Sequence, residues 1–160
     1  MLCWSTIEKN IYKEIEFLSK NLLLSPYEQN DAIKCSDCIF RQIAILIVSG
    51  KIKIKKIIYK NNSIWLKHKQ LKIVERKQHG GDWHNSLIGI IDNYFKDKGY
   101  ITKYEPNIHY GRADLGVPDL DIFIEVGTIN LYKLYYNINN MINSKILILP
   151  SDNYLIEISL

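Results

Sequence analysis

Two acidic residues in GRADLGVPDLDIFIEVGT (111–128) carry the chain's clearest chemical signal. The turn signal Gly116-Val117-Pro118-Asp119 divides the segment into two extended runs. Side chains alternate along a strand with period two, so Arg112 and Asp114 share one face of the first run. Phe123, Glu125 and Gly127 share a face of the second, opposite Ile122, Ile124 and Val126. A hairpin loop over 117–120 would pair position 114 with 123 and 112 with 125, making Asp114 and Glu125 diagonal neighbours. Two carboxylates held that close repel unless a cation lies between them, and hard divalent ions such as Mg²⁺ favour such oxygen donors. The chemistry this spacing suggests is metal-assisted phosphodiester hydrolysis.

An Asp and a Glu on a hairpin more often mark a solvated face. Here Glu125 stands inside IFIEV (122–126), a near-continuous apolar run of the kind seen in a central strand covered on both sides. A carboxylate in that position needs a partner.

The chain has 160 residues, 47% of them hydrophobic, enough for one ordinary core or two small ones. It has no apolar run of membrane-spanning length and no signal-peptide layout, so the expectation is a soluble, cytoplasmic or otherwise intracellular protein without a membrane partner. Three cysteines are an odd number and argue against a disulfide framework. Cys35 and Cys38 form CSDC, but a zinc site needs four ligands and the second half of such a motif is missing. Small buried helix residues are the favoured reading for both.

The formal net charge of +4 is unevenly spread. Residues 51–78 hold ten Lys/Arg and one Asp/Glu, against five and six in residues 1–50 and six and ten in residues 79–160. Charge concentrated in this way suits a polyanion, because each phosphate contact releases counterions. A solubilising lysine face is the alternative, and the abundance of Ile, Lys, Asn and Tyr lends it weight.

Elements to position these residues can be read from periodicity. Ile7, Ile11, Ile15, Leu18 and Leu22 predict a helix over 6–24, stopped at Ser25-Pro26. A short helix follows over 27–34, then a longer one ending at Gly50. KIKIKKIIYK and IWLKHKQLKIVERK are strand-like runs joined by Asn61-Asn62-Ser63, and Trp65, Tyr59 and His68 among the lysines could stack on bases or pack the hairpin onto the helices. His79-Gly80-Gly81-Asp82 marks a boundary, with Asp82 as helix cap and Leu87, Ile91, Tyr94 and Phe95 as the stripe of the next helix. A strand over 101–110 with Pro106 as an edge or bulge residue, the acidic hairpin, a helix from about Asn130 with Leu131, Leu134, Ile138, Met141 and Ile142 on one face, and two final strands complete the order.

Three helices and a basic hairpin, with AILIVSGKIKI as the most similar stretch, resemble a winged-helix DNA-binding domain. That resemblance implies Lys34, Ser36, Arg41 and Gln42 in the major groove, and Lys51, Lys53, Lys55, Lys67 and Lys69 on the wing. Residues 83–160, read as helix, three strands, helix and two strands with acids in the second and third strands, resemble the PD-(D/E)XK restriction-endonuclease-like nucleases. The fold expected is therefore α+β or α/β, with a winged-helix-like unit over 1–78 and an αβββαβ nuclease core over 79–160.

The nuclease resemblance implies that Asp114 and Glu125 hold Mg²⁺ or Mn²⁺, with the backbone carbonyl of Val126 as a further ligand. Asp119, in a literal Pro118-Asp119, is a rival first acid; Asp114 is preferred because it shares Glu125's face. The motif lysine two residues after Glu125 is replaced by Gly127, and Lys133 in the first turn of the next helix could bring its ammonium to the same space. His84 takes the place of a histidine some members carry in the leading helix, or is a capping residue; Asp92 reads as a surface residue. Arg112 joins the lysines as a nucleic-acid contact. The function implied is a metal-dependent endonuclease acting on DNA, or on RNA, with the two small units packed together or dimerised. The alternative is a non-catalytic DNA-binding transcriptional regulator whose C-terminal half is a degenerate nuclease-fold dimerisation domain.

Overall fold

A computed structural model describes residues 1–20, 36–58, 81–150 and 154–160. In chain order the elements are α1 (Trp4–Lys20), α2 (Ser36–Val48), β1 (Lys53–Ile58), α3 (Asp82–Asp97), β2 (Lys103–Tyr104), β3 (Leu115–Val117), β4 (Ile122–Val126), α4 (Leu131–Asn140), β5 (Lys145–Leu149) and β6 (Tyr154–Ser159). The described residues thus form a mixed α+β fold of four helices and one six-stranded sheet, ordered β1-β6-β5-β4-β3-β2. β4 and β5 run parallel, and every other neighbouring pair is antiparallel. Two parallel neighbours need a crossover, and α4 supplies it.

The central strands explain themselves by alternation. Along KILIL of β5, Ile146 and Ile148 join one apolar cluster while Leu147 and Leu149 join the other, so the strand is covered on both faces. The first cluster gathers Trp4, Ile7 and Ile11 of α1, Ile39 and Ile43 of α2, and Leu134 and Ile138 of α4 onto Ile146, Ile148, Ile156 and Ile158. The second packs Leu87, Ile91 and Phe95 of α3 against Leu115, Val117, Ile124 and Val126. The sheet is therefore a middle layer, with α3 on one side and α1, α2 and α4 on the other.

The first basic run forms the outermost strand of the sheet among the described residues. Ile54 of β1 stands opposite Ile158 and Lys56 opposite Ile156; Ile54 packs with the first cluster and Ile57 with the second. Residues of both expected units thus contribute to one sheet. Arg41 is engaged internally: its Nε donates to Glu14 Oε2 at 2.6 Å and its guanidinium lies 4.8 Å from the Phe17 ring centroid, tying α2 to α1. Lys51, Lys53 and Lys55 are exposed. The expected 27–34 helix, Lys34, Cys35, the Asn61–Ser63 turn, Tyr59, Trp65, Lys67, His68, Lys69 and the boundary after 78 lie outside the described residues. No helix among the described residues is long and apolar enough to cross a membrane.

Three local expectations need correction. Asp82 is the first helical residue of α3 and Gly81 its cap, in extended conformation and without a side-chain bond. The α4 helix stops at Asn140, leaving Ile142 beyond it and exposed. Asp92 is only 4% exposed: it accepts from Lys96 Nζ at 2.8 Å, from the Tyr104 hydroxyl at 2.5 Å and from the Thr102 hydroxyl. It pins α3 to the segment that opens into β2.

Candidate active site

β3 and β4 form a tight hairpin, with a register that differs from expectation by two residues. Leu115 stands opposite Ile124, Gly116 opposite Phe123 and Val117 opposite Ile122. The connection is a single 3₁₀ turn, Pro118–Leu120, followed by Asp121 in the left-handed region at φ 49°. Pro118 suits the first position of such a turn because its φ is preset and it needs no amide partner, so the strands close one residue later than a loop over 117–120 would allow. A shift of two leaves face parity untouched. Asp114 now falls level with Glu125 rather than diagonal to it, just before β3 instead of within a strand. Its amide donates to the Ile124 carbonyl at 3.0 Å, and its Oδ2 accepts from the Val126 amide at 2.7 Å. The carboxylate itself thus bridges to β4. Gly116 is dictated by packing: a Cβ there would come within 2.8 Å of Pro106 Cγ. Pro106 thereby keeps the 105–114 segment close against the hairpin.

Glu125 points from β4 toward α4, where Lys133 Nζ lies 2.5 Å from its Oε1. Lys133 also donates to the Arg112 carbonyl, and its stem passes beside Gly111, whose φ is 85°. Asn130 caps α4 by accepting from the Lys133 amide at 3.1 Å, which fixes the lysine in the first turn. Gly127, at the position of the motif lysine, has φ 86°, a conformation side-chain-bearing residues rarely adopt. A lysine there would be strained, and the ammonium arrives from α4 instead.

His84 on α3 places Nε2 3.5 Å from Asp114 Oδ1. His84, Asp114, Glu125, Val126 and Lys133 all line one open cleft of about 410 Å³, together with Trp83 and Gly127. The cleft lies at the C-terminal end of β4, beside the first turns of α3 and α4. Asp119 is exposed in the 3₁₀ turn, its Oδ2 3.4 Å from the Ile101 amide, and Arg112 is exposed with Nη1 3.5 Å from Glu105 Oε2. Neither residue lines the cleft.

Burial pushes the Glu125 carboxyl up to about 7 from its ordinary 4.5; the Lys133 ammonium pulls it down and the Asp114 charge adds to the rise. The folded protein therefore holds this proton more tightly than the unfolded chain does. Its contribution to stability is complete below 4.5 and disappears as pH climbs through about 7. Thermal denaturation in EDTA should show Glu125→Gln gaining on the parent protein over that interval. A pH-independent difference between the two would contradict the shift.

Oxygen donors are the ones a hard cation takes. Asp114 spends Oδ2 on the Val126 amide and has His84 Nε2 3.5 Å from Oδ1, and Glu125 spends Oε1 on Lys133. Among the described residues no group of three or more His, Cys, Asp or Glu side chains is arranged to hold a metal ion. The carboxylates that line the cleft and could meet a hard cation are those of Asp114 and Glu125.

Two residues escaped sequence reasoning. Asn137, 2% exposed, accepts from the Tyr110 amide at 2.8 Å and donates to the Tyr110 carbonyl, anchoring the loop that leads to Asp114. Its signal was a polar residue between Leu134 and Ile138 in an apolar stripe. Trp83 directly precedes His84 in the first turn of α3 and lines the cleft, a place that helical periodicity alone does not mark. No family model matches the chain, and no curated protein or solved structure matches it.

Proposed function

We propose that the protein is a metal-dependent nuclease that hydrolyses phosphodiester bonds in nucleic acid. The observation that carries this reading is one cleft holding Asp114 and Glu125 side by side, with Lys133 on one and His84 facing the other. The element order supports it: α3, the antiparallel β2-β3-β4, the crossover α4 and the parallel β5 follow the αβββαβ order of PD-(D/E)XK nucleases.

Hydrolysis joins the oxygen of water to phosphorus and breaks one ester P–O bond, leaving a phosphate monoester and a free hydroxyl. Asp114, Glu125 and the Val126 carbonyl would hold Mg²⁺ or Mn²⁺, and the ion would supply Lewis-acid charge and a more acidic water. Lys133 offsets negative charge as it grows on the phosphate, from a position already fixed against Glu125. His84 orients Asp114 and presents an imidazole to a phosphate oxygen.

The exposed lysines of β1 extend the binding surface. β1 and β4 are separated by β6 and β5, or about 14 Å at the usual strand spacing. Through the register Lys53 is level with Ile122 and Lys55 with Ile124, toward the end of β4 away from the cleft, so a sugar-phosphate backbone joining the two would run along the sheet as well as across it. Replacing Lys51, Lys53 and Lys55 together should weaken binding, each lost phosphate contact flattening the log affinity against log salt slope by about 0.9. Titrations at several salt concentrations measure this, and an unchanged slope removes the lysines from the interface.

The decisive experiment incubates the protein with plasmid, oligonucleotide and structured RNA in Mg²⁺ or Mn²⁺, against EDTA. Absence of metal-dependent cutting on every form removes the enzyme reading.

A further inference from the structure

Trp83 is 46% exposed and lines the cleft, in the first turn of α3 beside His84. Most large apolar side chains of α3 are buried in the second cluster; this one is turned away from it. Its Cζ3 lies 3.6 Å from the position a Cβ on Gly127 would take. The indole thus rests beside Gly127 at the end of β4, at a distance of ordinary van der Waals contact. The result is a flat aromatic surface within the same cavity as both acids.

A base inside a duplex has both faces covered by its neighbours and offers only its edges. An indole can accept only a base with a free face, and stacking of this kind is indifferent to base identity. A cavity of about 410 Å³ is within the range that accepts a ligand of nucleotide size. We infer that the cleft takes a nucleic-acid strand with unpaired bases, Trp83 stacking on the base next to the phosphate held at Asp114 and Glu125. The inference rests on the nuclease reading for its phosphate and adds the class of substrate: single strands, frayed ends or flaps in preference to continuous duplex.

Binding of the full chain is measured by fluorescence anisotropy in Ca²⁺, using a labelled oligothymidylate of about 12 nucleotides, a blunt duplex of equal length and an abasic strand of equal charge. Trp83→Ala should lower the ratio of single-strand to duplex affinity about 5- to 150-fold, while Trp83→Phe keeps most of it. The parent protein should bind the abasic strand as weakly as Trp83→Ala binds the intact one. A ratio unmoved by Trp83→Ala, or an abasic strand bound by the parent as tightly as an intact strand, overturns the inference. If Trp83→Ala fails to fold, Trp83→Phe and the abasic comparison on the parent still decide it. Cutting is scored separately: a ratio shift without metal-dependent cutting removes the nuclease and keeps the stacking surface, and cutting without a ratio shift does the reverse.

Discussion

Asp114→Asn and Glu125→Gln are each expected to lower metal-dependent cleavage about a thousandfold or more. Both replacements keep side-chain volume and remove one negative charge from the donor pair. Metal-assisted charge stabilisation amounts to several kcal/mol, and each 1.36 kcal/mol is about tenfold in rate. The acids act as a unit, so the double variant should fall little further than either single one. Single-turnover cleavage with saturating Mn²⁺ measures this, with a thermal melt of each variant as the fold control. Variants that fold and cut at the parent's rate would locate the chemistry elsewhere. Lys133→Met tests the third member, which touches both Glu125 and the Arg112 carbonyl.

Asp92→Ala should produce the largest loss of stability of any exchange considered. The buried carboxylate accepts from two hydroxyls and an ammonium, and its removal strands the Thr102 and Tyr104 hydroxyls beside α3. Hydrogen bonds to a charged group contribute about 1.5–3 kcal/mol each, so a loss of about 3 kcal/mol overall is a conservative expectation. For a chain of this length that lowers the thermal midpoint by about 6–12 °C. Asp92→Asn, whose single oxygen can accept from only one of the two hydroxyls, should lose less than Asp92→Ala but more than one such bond. Burial alone would raise the Asp92 carboxyl, but Lys96, Thr102 and Tyr104 together hold it below its ordinary 3.8. Its contribution is therefore present above 3.8 and vanishes as acid is added below it. Melts of parent and variant should converge on acidification; a constant gap would contradict this role.

The contrast between these two carboxylates shows what sequence periodicity can carry. That Asp114 and Glu125 share a face follows from period-two alternation, and a two-residue error in register could not alter it. The register itself depended on Pro118 opening a 3₁₀ turn and Asp121 adopting a left-handed conformation, which composition hints at but does not dictate. Asp92 reads as a surface residue by its charge, although it lies four residues after Ile88 and three before Phe95, on the side of α3 that the structure buries. The hydroxyls that make its burial tolerable come from a neighbouring segment, and no local pattern announces them. Lys133 was legible because its helix start was; that Gly127 is the wrong conformation for a lysine needed backbone angles. The pairing of KIKKII was the least legible feature. Its alternation marks a strand and the Asn61-Asn62-Ser63 turn points to the following run, which lies outside the described residues; the partner the structure shows is YLIEIS (154–159), about a hundred residues on.

That last pairing has a kinetic consequence. β1 and β6 are about a hundred residues apart in sequence, so joining them closes a large loop, and folds dominated by such distant contacts assemble slowly. On the ribosome, the lysine-bearing strand waits with its hydrogen-bonding edge open until β6 has emerged. Like charges along KIKIKK then repel a second nascent chain, guarding that edge against the wrong companion.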